Sequence, residues 1–171
     1  MSKGFSFIFI FFILFSCNQT VVPTVEEIPN RAVAKLAILG EPVLIDTENL
    51  LANWNAFYRF GDMEVYPEFQ TVEIMKDDFG YLLIGKDEAS EITGLLPLQE
   101  KGSYLVEQPV DGLLLCAVLC KGYTIDQNCD PERKAKQGRF QFQCIDKNNK
   151  RCLTSVSCSE RSILFTTESY M

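Results

Sequence analysis

Apolar positions follow three rhythms along this chain, and each predicts a different kind of element. The first is unbroken. Phe5 to Phe15 is apolar except for Ser6 and follows Lys3. A helix needs about 20 residues to cross a bilayer core, so so short a run fits the apolar part of a secretory signal better than a membrane span. The second rhythm is helical. Leu50, Leu51, Trp54, Phe57 and Tyr58 recur at i, i+1, i+4, i+7 and i+8, behind Asp46 and Thr47 as capping residues and ahead of Gly61 as a stop. The third alternates with a period of two. Thr71 to Met75, the turn Asp77-Asp78-Phe79-Gly80 and Tyr81 to Ile84 predict one hairpin. Glu91 to Leu98, the turn Glu100-Lys101-Gly102 and Ser103 to Glu107 predict a second.

Turns this short favour sequential antiparallel neighbours over parallel crossovers. The expected fold class is therefore α+β: a four-stranded antiparallel β-meander with the 47–60 helix packed on one face, closed by a disulfide-rich carboxyl-terminal region. Leu113 to Leu119 predicts a buried strand leading into that region. Asn30 can cap a short helix over Arg31 to Leu39 stopped by Gly40, although an apolar strand fits the same residues. The domain organisation expected is a signal over 1–16, a tether over 17–30 rich in Pro, Thr and Glu, and one α+β domain over 31–171 with its cysteine-rich part at 116–158. Removing the signal leaves enough chain for one domain with a real core.

The apolar run ends in Leu14-Phe15-Ser16-Cys17, which resembles the bacterial lipoprotein lipobox, with Phe15 as its departure from the commonest form. The resemblance implies a diacylglycerol thioether on Cys17, cleavage before it and acylation of the new amino terminus. Several acyl chains together make a durable anchor, since each buried methylene contributes about 0.8 kcal/mol. The expected location is a lipid-anchored position in a bacterial cell envelope, at the outer membrane, on its periplasmic or its surface face. Asn18 follows the lipidation cysteine, where an aspartate would have suggested inner-membrane retention. Asn18-Gln19-Thr20 is a glycosylation sequon, relevant only in a eukaryotic host.

Export changes the meaning of the other cysteines. Cys116, Cys120, Cys129, Cys144, Cys152 and Cys158 are even in number, and in an oxidising compartment such a set reads first as disulfides. Six allow fifteen pairings. If 113–120 is a strand, Cys116 and Cys120 lie about 13 Å apart, too far for one bridge, so each must pair with a later cysteine. Three bridges contribute about 2–4 kcal/mol apiece to a segment with few large apolar residues between 121 and 139. The alternative is a thiolate-ligated metal or iron–sulfur site for electron transfer or metal handling. The spacing, which contains no C-x-x-C, argues against it.

Charge and composition narrow the function. Asn18 to Leu115 carries six Lys/Arg against seventeen Asp/Glu, whereas Cys116 onward carries nine against six. An acidic exported chain is a poor nucleic-acid binder. The basic residues Arg133, Lys134, Lys136 and Arg139 read as a solvated loop between two cysteines, or as a patch meeting an anionic surface or an acidic partner. The chain has no histidine, which removes Ser-His-Asp and Cys-His catalysis and histidine-ligated metal. Asp146-Lys147-Asn148-Asn149-Lys150 begins like a calcium loop, but Lys150 stands where a ligand is required and the central glycine is missing. It reads as a hairpin turn between Cys144 and Cys152.

The lipobox, the acidic β-rich half and the array Cys116, Cys120, Cys129-Asp130-Pro131-Glu132-Arg133, Cys144, Cys152, Cys158 together resemble small cysteine-rich lipoproteins of Bacteroidota. The resemblance implies no activity and no cofactor. The expected role is non-catalytic: a binding or structural module at the envelope, stabilised by three disulfides, with an envelope protein or a glycan as partner. A hydrolase using paired carboxylates is the enzymatic alternative, because such pairs are defined by spatial separation and not by sequence.

Overall fold

The computed structural model describes residues 28–29, 31–59, 66–110, 114–123, 128–136, 139–148 and 150–165. The signal, Cys17, most of the tether and Gly61 lie outside the described residues.

The predicted helix is present as α1 (Thr47–Arg59). Asp46 caps it: its Oδ1 accepts the Asn49 N–H at 3.1 Å, satisfying a donor that the first turn leaves without an intrahelical partner. Leu50, Trp54 and Tyr58, four residues apart, form its buried stripe. Among the described residues the buried Trp54 Nε1–H and Tyr58 hydroxyl have no partner of hydrogen-bond geometry. Burial pushes the Tyr58 phenol well above its ordinary range, against a smaller opposing influence of Trp54.

Both predicted hairpins are present as four consecutive strands, β3 (Thr71–Asp77), β4 (Gly80–Asp87), β5 (Ile92–Lys101) and β6 (Tyr104–Glu107), paired in sequence. The sheet extends beyond this meander to eight strands. β1 (Ala32–Leu36) pairs with β6, and β2 (Pro42–Leu44) pairs with β1 at the edge. Within the 31–39 segment Ala32–Leu36 is thus the strand of the two readings and the residues after it form a turn, so the helix expectation is corrected. Ala32, Val33 and Ala34 are all buried, and a register shift between Ala32 and Ala34 masks the period of two. On the other side, β7 (Leu115–Lys121) pairs with β5 and with β10 (Leu153–Ser159). β4 occupies one edge of β5 over residues 92–98. The opposite edge is shared, by β7 at 92–95 and by β6 at 98–101, so the sheet forks there.

The central strands are buried on both faces. Tyr81, Leu83, Leu96, Leu98, Ala117 and Leu119 face α1. Leu82, Ile84, Leu95 and Val118 face the other way. Under the helix lies Phe69, pinned by two hydrogen bonds with Asn55: the Phe69 N–H donates to Asn55 Oδ1 at 2.8 Å, and Asn55 Nδ2 donates to the Phe69 carbonyl at 3.1 Å. Its ring lies 4.7 Å from that of Trp54, between centroids, and rests on Gly85 and Gly94, which face each other across β4 and β5. A Cβ on Gly94 would sit 2.4 Å from Phe69 Cζ, and one on Gly85 would sit 2.9 Å from Trp54 Cζ3. The two glycines make a trough that only a bare backbone leaves open.

The opposite face is covered by a separate hairpin, β8 (Cys129–Lys136) and β9 (Arg139–Asp146). The segment read as a solvated basic loop is therefore largely a strand pair, and that expectation is corrected. Arg133 in particular is buried. What sequence patterning could not supply is the cross-linking that holds this polar hairpin down.

Candidate functional site

The six cysteines form three disulfides, Cys116–Cys158, Cys120–Cys144 and Cys129–Cys152. As expected from the strand geometry, Cys116 and Cys120 take different, later partners. Cys120–Cys144 ties β9 to β7, and Cys129–Cys152 ties the start of β8 to the residue before β10. Five of these cysteines are buried. Cys116–Cys158 differs, because Cys158 is exposed on edge strand β10, directly opposite Cys116 in register. With every one of the six sulfurs paired, none of these six cysteines is left as a thiolate to ligate a metal, and the alternative built on them loses its ligands. Among the described residues, no group of three or more Cys, Asp or Glu side chains is placed to hold a metal ion.

The turn after β9 explains the resemblance to a calcium loop. Asp146 Oδ1 accepts the N–H groups of Asn148 and Lys150, both at 2.8 Å, and the Cys152 N–H donates to the Cys144 carbonyl at 3.0 Å. The carboxylate satisfies its own turn, in the manner of Asp at such positions. Of the basic residues, Arg133 holds Asp77 in a two-pronged pair: Nη2 to Oδ1 at 2.5 Å and Nε to Oδ2 at 3.1 Å. Its guanidinium also lies 5.7 Å from the Phe79 ring centroid. The arginine of the C-x-P-x-R array thus clamps the β8–β9 hairpin to the β3–β4 turn. Lys134 is exposed and pairs with Glu132 at 3.1 Å.

A cleft of about 500 Å³ opens beside the fork of the sheet. Val106, Pro109 and Leu115 supply apolar walls, and Arg31, Lys101 and Glu160 bring charges to it. Glu107, 6 % exposed, forms part of the wall. Its Oε1 accepts the N–H groups of Ile163 (2.7 Å) and Leu164 (3.0 Å), and its Oε2 accepts the Ser162 hydroxyl. Burial raises its pKa above the ordinary glutamate value, opposed by these donors and by Arg31. Both oxygens are committed to one turn, which seats Ile163 and Leu164 in the core. Asn53 Nδ2 completes the seat by donating to the Leu164 carbonyl at 2.7 Å. A hydrolytic acid must present an oxygen to its substrate. Glu107 presents its oxygens to its own chain, so its chemistry is that of an anchor.

Sequence reading missed Glu107, Asp77 and Phe69. The Glu107 and Asp77 partners lie more than fifty residues away along the chain, and no local pattern marks them. Gly85 and Gly94 inside otherwise apolar strands were the one available signal for Phe69, since an interior glycine marks a close approach. Comparison with protein-family models, with curated proteins and with solved structures found no match for this chain.

Proposed function

We propose that this chain is a lipid-anchored protein of a bacterial cell envelope, held at the outer membrane through Cys17, and that its folded part is a non-catalytic binding or structural module. The observation that carries this reading is the use of the cysteines. Six of seven are consumed in disulfides, the economy of an exported domain, and the one left over stands at the end of the lipobox-like run. The buried polar groups of the described domain point the same way: Glu107, Arg133, Asp87 and Ser162 all serve internal contacts. An envelope protein or a glycan is the partner this reading names, and nucleic acid is not.

Mass spectrometry of the native protein tests it. The mature chain should begin at Cys17, carry acyl groups there, and have a mass lower than the fully reduced chain by six hydrogens. Cys17→Ser should abolish labelling by palmitate. Labelling that survives the substitution, or six thiols that alkylate without prior reduction, would refute the reading.

A further inference from the structure

The turn of the β1–β2 hairpin carries residues that do not belong on a solvated apex. Ile38 and Leu39 are 105 % and 88 % exposed. The turn presenting them is fixed: the Ala37 N–H donates to the Glu41 carbonyl and the Gly40 N–H to the Ala37 carbonyl, both at 2.8 Å, with Gly40 at a φ of +79°. Such apices ordinarily hold Gly, Asn, Asp or Ser. Val43 and Ile45, 59 % and 43 % exposed, continue the apolar strip along the second strand. Contiguous exposed aliphatics mark a surface that is covered in use.

Two further observations say what covers it. The first is charge. The Leu36 N–H donates to the Ser103 carbonyl at 2.8 Å, which joins this hairpin to the β5–β6 turn. On the joined unit Lys35 and Lys101 balance Glu41 and Glu100, within a half of the chain where acidic residues exceed basic ones by eleven. This is the side on which an acidic domain can approach an anionic surface. The second is chain length. The segment from Cys17 leads into β1 itself, and thirteen residues separate it from Arg31. A chain of that length spans at most about 45 Å extended and about 20 Å as a flexible coil. The apex stands about 20 Å along the hairpin from Arg31. A bilayer that holds Cys17 is therefore within reach of Ile38 and Leu39.

We propose that the β1–β2 apex is a second membrane contact, inserting Ile38 and Leu39 among the acyl chains of an anionic bilayer while Lys35 and Lys101 face its headgroups. The lipid and the apex then fix the orientation of the domain, where the lipid alone would leave it free to tumble. This inference rests on the lipid-anchor reading.

The test places a photoreactive benzoylphenylalanine at Leu39 in the full chain, with Met75, an exposed residue on the far edge strand, as control. Each purified protein is reconstituted into vesicles of phosphatidylethanolamine and phosphatidylglycerol and irradiated, and palmitate incorporation is measured on the same preparations. The expected result is a phospholipid adduct at position 39 that is absent at position 75, and that weakens when Ile38→Ser and Lys35→Glu are added. In irradiated cells the position-39 adduct should again be phospholipid; a protein adduct there would overturn the proposal in favour of a protein partner. A palmitate-labelled chain with no lipid adduct at 39 would overturn the apex contact and leave the anchor standing. An unlabelled chain with no adduct would overturn both.

Discussion

Arg133 and Asp77 show how unequal the two halves of one ion pair can be. The Arg133 side chain is fully buried, whereas the Asp77 carboxylate keeps 22 % of its exposure. Removing the carboxylate strips a buried cation of its counter-charge, and Asp77→Ala is expected to cost about 3–5 kcal/mol. Arg133→Met leaves a carboxylate that water still reaches and should cost about 1–2 kcal/mol. Denaturant midpoints for the two variants check this, and equal losses would contradict the asymmetry. Glu107 gives a pH-dependent counterpart. Its folded-state pKa is raised, so the folded chain holds this proton more tightly than the unfolded chain. Its contribution to stability is full below about pH 4.3 and is lost as pH rises through the folded-state value. Glu107→Gln keeps an oxygen for the Ile163 and Leu164 N–H groups and removes the titration. It should flatten that part of the melting-temperature profile, and an unchanged slope would contradict the assignment.

At the scale of elements, the Gly85–Gly94 trough governs how α1 and the sheet meet. Gly94→Ala drives a methyl group into Phe69 and should cost about 1–3 kcal/mol by overpacking. Phe69→Leu, which shortens the ring side, should recover part of that loss, so that the double variant is more stable than the sum of the two single effects predicts. Strict additivity in urea unfolding would show that the ring and the trough are independent. The same elements show what is legible in a sequence. α1 and β3 to β6 were readable because their burial periods are local: Leu50, Trp54 and Tyr58 share one helix face, and the two meander hairpins close through short turns. β1 was ambiguous because the shift at Val33 buries three consecutive residues. β8 was unreadable because Cys-Asp-Pro-Glu-Arg-Lys has no apolar alternation, whereas Phe140-Gln141-Phe142-Gln143-Cys144 in β9 does alternate and was a signal left unread. Their place is set by Arg133 reaching Asp77 and by two disulfides, all long-range contacts.

Across the whole molecule the disulfides form one outer link, Cys116–Cys158, around two interlocked inner ones. That Cys116 and Cys120 could not pair was legible from strand geometry. That Cys116 takes Cys158 depends on the β7–β10 register, which local pattern does not encode. Exchange needs access to a sulfur, and only the outer link has an exposed cysteine. Limiting phosphine followed by alkylation should therefore place the first adducts on Cys116 and Cys158, read by peptide mass spectrometry; first adducts on Cys120 or Cys129 would contradict it. The fold should survive that single cleavage. β10 stays held at its start by Cys129–Cys152 and beyond its end by Glu107.

The buried indole of Trp54 has a use beyond packing. It is the chain's single tryptophan, it is wholly shielded from solvent, and among the described residues its N–H has no partner of hydrogen-bond geometry. Its fluorescence should therefore be that of an indole in an apolar medium, with emission at markedly shorter wavelength than free tryptophan in water. It lies on the helix side of the sheet, and the two inner disulfides lie on the other. Opening Cys116–Cys158 should leave the emission where it is, while Gly94→Ala should move it toward red. One unlabelled optical signal thus distinguishes a disturbed outer link from a disturbed core.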